Sequence, residues 1–209
     1  MPNKLGAAVA SAVVLAMACA ACTSTSGGVA VPVENTPPTG SPESTSKASR
    51  PSGVELPPRP KEIKIDAVDP CKLLTAAQMA QLEINKAEPR TSDVSVYKGA
   101  KECAYLVSDA GGYRYLARLI TNEGIEPWLS GKRNVDAEQA TVAGYAAARF
   151  YLKGAKQTTA VDCSVAVDVA SGQHIWFSMV VNTRGGFTLD QMCQMNEHVA
   201  DLAITALAK

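Results

Sequence analysis

The stretch Val161-Asp-Cys-Ser-Val-Ala-Val-Asp-Val169 decides the fold. Val161, Cys163, Val165, Val167 and Val169 take one face, and Asp162, Ser164 and Asp168 the other. A period of two is the spacing of a strand, whose side chains alternate across the sheet. Ser171-Gly172-Gln173 turns the chain, and His174 to Val181 returns with Ile175, Phe177, Met179 and Val181 inward. Upstream, Cys103, Tyr105 and Val107 alternate with Ala104 and Leu106. Asp109-Ala-Gly-Gly112 reads as a hairpin turn, and Tyr113 to Thr121 as the returning strand. A loop holding Pro127, Trp128 and Gly131 precedes a further strand over Ala146 to Leu152.

Helices flank these strands. Asp69-Pro70 has the form of a helix cap and first turn. Thr75-Ala-Ala-Gln78 is a capping box, with Met79 and Leu82 on the apolar side of a short helix over 76–83. Thr188-Leu-Asp-Gln191 is a second box. Met192, Met195, Val199, Leu202 and Ala206 then recur at helical spacing, widened by Cys193, Ala200 and Leu207. The fold class is α+β: an antiparallel sheet packed on one face by a short N-terminal helix and a long C-terminal helix. Residues 63–209 make up this globular domain.

The N-terminus reads differently. Lys4 is the only charge before Glu34, and Leu5 to Ala21 is an unbroken small and apolar run. That is the pattern of a secretory signal over residues 1–21. A membrane-spanning helix needs about 20 strongly apolar residues, and this run is shorter and alanine-rich. Cys22 follows Ala20-Ala21 and opens the polar Thr-Ser-Thr-Ser-Gly-Gly, as a lipobox cysteine does. Cys19, after Ala16-Met17-Ala18, is the alternative acceptor. The sequence thus predicts a diacylglyceryl thioether on Cys22. One acyl chain holds a protein only marginally, whereas two retain it. Residues 22–62 are rich in Ser, Thr, Pro and Gly and cannot bury enough apolar surface to fold. As a flexible chain this tether reaches about 35 Å. The expected location is the extracytoplasmic face of the cell membrane.

The chain carries 20 basic and 20 acidic side chains. That balance excludes a strongly basic nucleic-acid binder. Four cysteines remain in the domain: Cys71, Cys103, Cys163 and Cys193. Export permits disulfides, and four cysteines allow three pairings among which sequence does not choose. The expected pairing is Cys71–Cys103 and Cys163–Cys193, each tying a helix to the apolar face of a strand. Zinc is the alternative use, but structural zinc sites favour close pairs, and these cysteines are far apart.

The string Asp69-Pro-Cys-Lys-Leu-Leu-Thr75 followed by Cys103, and Cys163-Ser-Val-Ala-Val-Asp-Val-Ala-Ser-Gly-Gln173 followed by a cysteine in the last helix, resemble an actinobacterial lipoprotein family. It is known as domain of unknown function 3558. The resemblance covers about residues 65–208, with the lipobox and tether ahead of it. Tyr105 stands where many members carry Trp, and Cys19 is an addition. The resemblance implies a cell-envelope lipoprotein and carries over no catalytic residue.

Reaction motifs are absent from the sequence: no His-Glu-x-x-His, Gly-x-Ser-x-Gly, P-loop or dinucleotide fingerprint occurs. His174, beside the Ser171-Gly172 turn, is the one candidate for an envelope hydrolase. His198 falls in the last helix. Asp162 and Asp168 are about 20 Å apart on one strand face, too far for paired acid–base work, and are expected to be solvated. Met179, Met192 and Met195 fit core spacing. Their alternative use is a lipid pocket under the last helix, as in a lipid carrier. Arg114 with Arg118, Arg149 with Tyr151, and His174 with Trp176 each share a strand face. If those faces coincide, they form a basic-aromatic patch for an envelope glycan, lipid headgroup or protein partner. The favoured expectation is a non-enzymatic binding or accessory module with no cofactor.

Overall fold

The computed structural model describes residues 53–107, 112–157 and 160–209. The signal, Cys19, Cys22, the tether through residue 52 and most of the Asp109–Gly112 turn lie outside the described residues. Seven strands form one antiparallel sheet: β1 (Ile84–Thr91), β2 (Lys101–Val107), β3 (Tyr113–Ile120), β4 (Val135–Val142), β5 (Tyr145–Leu152), β6 (Asp162–Ala170) and β7 (Gln173–Val181). Their order is β1-β2-β3-β7-β6-β5-β4, so β7 is the middle strand. β3 pairs with β7 from Tyr113↔Val181 to Ile120↔His174.

The expected strands are present, and two more frame them. β1 and β4 are the edges of the sheet. Both mix polar and small residues without an apolar face, and full burial is confined to Ile84 and Val142. An edge strand has a neighbour on one side only, so it lacks the apolar run that marks an inner strand. The segment around Trp128 also holds a short helix, α2 (Glu126–Leu129), with proline in its first turn.

Both capping boxes form. Thr75 and Gln78 close the start of α1 (Ala76–Gln81), and Thr188 and Gln191 that of α3 (Leu189–Leu207). Asp69 caps a single 3-10 turn over Pro70–Lys72. α3 lies on one face of the sheet, over β6 and β7. Val165, Val167, Ile175, Phe177 and Met179 meet Met192, Val199, Ala200, Ala203 and Ile204 there, all buried. Burying each large side chain of this kind is worth roughly 1.5–3 kcal/mol.

The buried stripe of α3 runs through Met192, Cys193, Asn196, Val199, Ala200, Ala203 and Ile204. Met195 and Leu202 are moved to its flank, half-buried. Two ties, one covalent and one polar, hold this rotation. Cys193 is bonded to Cys163, and fully buried Asn196 donates from Nδ2 to the Phe177 carbonyl at 3.1 Å. A buried amide needs such a partner, and the helix turns to supply it.

The disulfides are Cys71–Cys103 and Cys163–Cys193, with Cα–Cα distances of 5.1 Å in both. The first fastens the 3-10 turn to β2, and the second fastens the first turns of α3 to β6. Tyr105, a core aromatic, donates its hydroxyl proton to the Pro70 carbonyl at 2.6 Å and pins the same turn.

Packing starts upstream of the expected boundary at Ile63. Leu56 is buried, and Arg59 forms a two-pronged ion pair with Asp168, 2.8 Å on each arm. The Ile63 amide donates to the Val169 carbonyl at 2.8 Å. Residues 54–65 therefore form a strap along the sheet. Asp168 is fully buried rather than solvated, because the Arg59 guanidinium supplies the charge and donors that water would otherwise provide. No helix among the described residues is long and apolar enough to cross a membrane.

Candidate functional site

The face of the sheet turned away from α3 is covered too. Ala146, Ala148, Phe150, Ala166, Trp176 and Ile120 face that way and pack under Tyr97, Ile125, Trp128 and Leu56. Alternation within each strand forces this: residues next to those of the α3 core must point to the opposite side. Trp128, carried by α2, stacks on Phe150 with centroids 3.9 Å apart and planes at 11°. Trp176 lies 5.2 Å from Trp128. Tyr97 meets Trp176 and His174 edge-on, at 5.9 and 5.7 Å.

Cations close this aromatic layer. The Arg133 guanidinium sits 4.1 Å from the Trp128 ring centroid, and that of Arg118 sits 4.3 Å from the Trp176 centroid. Stacking of this kind is worth about 0.5–2 kcal/mol each. Both cations are paired. Arg118 forms a buried ion pair with Glu102 and donates to Ser178 Oγ at 3.3 Å. Glu123 pairs with Arg133 and also accepts from the Tyr97 hydroxyl. Burial, together with that bond to Glu123, pushes the Tyr97 phenol well above its ordinary range.

His174 is fully buried. Its Nδ1 lies 2.8 Å from the Glu123 carbonyl, so Nδ1 carries the proton and donates. Burial lowers its pKa to about 4, against a smaller upward pull from that bond; the nearby Arg133 adds to the lowering. The hydrolase reading needs a solvent-reaching nucleophile beside His174. Among the described residues its hydrogen bond is the one to Glu123. Its cross-strand neighbour Asp168 is engaged by Arg59.

A pH dependence follows from this burial. In the unfolded chain His174 protonates near pH 6.5, while in the fold it stays neutral to about pH 4. Its contribution is complete above pH 6.5 and is lost as the pH falls through that window. The loss is about 3 kcal/mol by pH 4. Urea melts at pH 7.5 and pH 4.5 should show it, and His174→Leu should remove that part of the difference. An unchanged difference would contradict the assignment.

The six residues of the expected patch divide between the two faces. Arg118, His174 and Trp176 belong to the aromatic layer, and all three are buried. Arg114 lies on the same face, half-exposed, with Nη1 donating to Asn182 Oδ1 at 2.9 Å. Arg149 and Tyr151 point the other way. Arg149 grips Glu197 of α3 through Nε and Nη2, and also pairs with Glu138. Tyr151 is buried in the α3 core. These residues form no single solvent-facing basic surface.

The surface of the described residues carries depressions of two kinds. A cleft of about 400 Å³ at the end of β3 is lined by Tyr97, Lys98, Lys101, Asp66 and Asn122, among others. It abuts the aromatic layer through Tyr97. A pocket of about 220 Å³ beside α3 is lined by Leu82, Tyr113, Tyr115, Met195 and His198. That is smaller than the roughly 300–1,000 Å³ of ordinary ligand pockets. Met179 and Met192 are fully buried in the packing between sheet and helix. The sequence reading missed Tyr97, Glu123, Trp128 and Arg133, which come from connections whose pattern carries no period; the proline–tryptophan pair was their one signal. It also missed Glu102 and Arg59.

A family model described as a protein of unknown function, DUF3558, matches residues 17–206. No curated protein and no solved structure matches the chain. With nearly the whole length covered by that model, the chain belongs to the DUF3558 family.

Proposed function

We propose that this chain is a lipid-anchored protein of the extracytoplasmic membrane face, and that its domain is a non-enzymatic binding or accessory module of the cell envelope. The observation that carries the location is the pair of disulfides, Cys71–Cys103 and Cys163–Cys193, each joining a strand to a helical segment. Such bridges persist in oxidising compartments and are rare in a reducing cytosol. The lipobox at Cys22 supplies the means of attachment. Support for binding over catalysis comes from His174. It is sealed beneath Tyr97, with its one ring proton committed to a backbone carbonyl.

Labelling of the full chain with an alkyne fatty acid in a bacterial host tests the anchor. The wild type and Cys19→Ala should take the label, and Cys22→Ala should lose it. The mature N-terminal peptide should begin at Cys22 by mass. Residues 1–21 still attached, or no label on the wild type, would overturn the proposal.

A further inference from the structure

The two edges of the sheet differ in a way that points to a partner. An open edge strand offers unpaired N–H and C=O groups, and proteins usually blunt it with proline, lysine, charge or a bulge. β1 has all four: Pro89, Lys86, the charged Glu88 and Arg90, and a register shift between Ile84 and Lys86. β4 has no proline, no lysine and no bulge. It pairs with β5 without interruption from Val135↔Leu152 to Val142↔Tyr145. Its two charges are turned to internal use: Asp136 accepts from the Gly154 amide at 3.0 Å, and Glu138 pairs with Arg149. Ala137, Gln139 and Thr141 are exposed.

The phase of the ladder shows which groups are open. Ala143 and Gly144 link β4 to β5 with φ of 49° and 81°. Two positive values mark a two-residue type I′ hairpin, whose flanking residues form a hydrogen-bonded pair. Val142 is therefore bonded to Tyr145, and alternation directs Ala140, Glu138 and Asp136 to β5 as well. The backbone groups of Val135, Ala137, Gln139 and Thr141 point outward.

We infer that β4 is a pairing edge, and that its partner is β4 of a second copy of this chain, running antiparallel about a two-fold axis at Gln139. In that register Gln139 faces Gln139, and Ala137 faces Thr141. All of them use outward groups, and about six backbone hydrogen bonds form. Glu138 falls opposite Ala140, so no like charges meet. Moving the axis to Glu138 would use the same outward groups but would set two carboxylates face to face. The outward strand is thus self-complementary in this register, which forms more hydrogen-bonded pairs than an axis at Ala140 would, as an isologous interface requires.

The test uses the full chain produced in cells. Facing residues of a hydrogen-bonded antiparallel pair have Cα atoms about 5.5 Å apart, inside the range a disulfide spans. Gln139→Cys should give a species of doubled mass on a non-reducing gel, and Val96→Cys, exposed far along the chain, should not. Two differently tagged copies should co-purify. Gln139→Lys in both should abolish this, and pairing Gln139→Lys with Gln139→Glu should restore it. No doubled species from Gln139→Cys, or cross-linking to a different protein, would overturn self-pairing. So would co-purification that ignores the charge at 139.

Discussion

Replacing Cys163 and Cys193 together by alanine should lower the unfolding midpoint by on the order of 10 °C. The bridge spans 30 residues, and a closed loop of that size is worth roughly 3–4 kcal/mol on the chain-entropy model. In a domain of this size each kcal/mol moves the midpoint by about 2–4 °C. The native state loses little contact of its own, because both cysteines are small and buried. What changes is the freedom of the unfolded chain between β6 and α3. The start of the helix also loses its tether, so Asn196 and its bond to Phe177 should become easier to open. Thermal melts followed by circular dichroism would measure the first effect. Hydrogen exchange at the first turns of α3 would measure the second. A midpoint within 2 °C of wild type would show that the bridge is dispensable to the fold.

The same bridge illustrates what the sequence discloses. Cys163 falls on the valine face of β6, and Cys193 falls in the second turn of a helix whose capping box is plain. Periodicity places each within its own element. Inner strands are readable for this reason, since β6 and β7 carry an apolar face dictated by burial. β1 and β4 are not, because half of an edge strand's environment is water, and polar residues such as those of Ala137–Gln139 satisfy it.

The phase between strands is a different matter. Arg149 and Tyr151 share a face by simple alternation, and so do His174 and Trp176. Whether the two faces agree depends on register. Arg149 stands opposite Val165, a residue of the α3 core, whereas Trp176 stands opposite Ala166 and Arg118 in the aromatic layer. A shift of one residue would have reversed the outcome. The aromatic layer itself is assembled from one side chain per connection: Leu56 from the strap, Tyr97 from a 3-10 turn and Trp128 from α2. Single residues have no period, so only the folded chain brings them together.

Changing Glu102 to Gln should cost about 3–5 kcal/mol, the usual penalty for stranding a buried charge. Arg118 is buried against the ring of its cross-strand neighbour Trp176, and Glu102, opposite it on β2, is buried as well. Burial pulls the Arg118 pKa downward, and the Glu102 carboxylate opposes that pull. With the carboxylate gone, Ser178 and the Trp176 ring remain as direct contacts, and neither can neutralise a guanidinium; Asp93 and Asp162 act on it only as weaker charges without a direct bond. Arg118→Met should be costly for the converse reason, since it leaves a carboxylate enclosed. The double variant Glu102→Gln/Arg118→Met should recover most of the loss, because neither uncompensated charge is then present. Its residual deficit should reflect the cation–π contact, about 0.5–2 kcal/mol. Urea denaturation of the four proteins closes the cycle. Additive losses would mean that the pair does not act as a unit, and that Trp176 and Ser178 hold Arg118 by themselves.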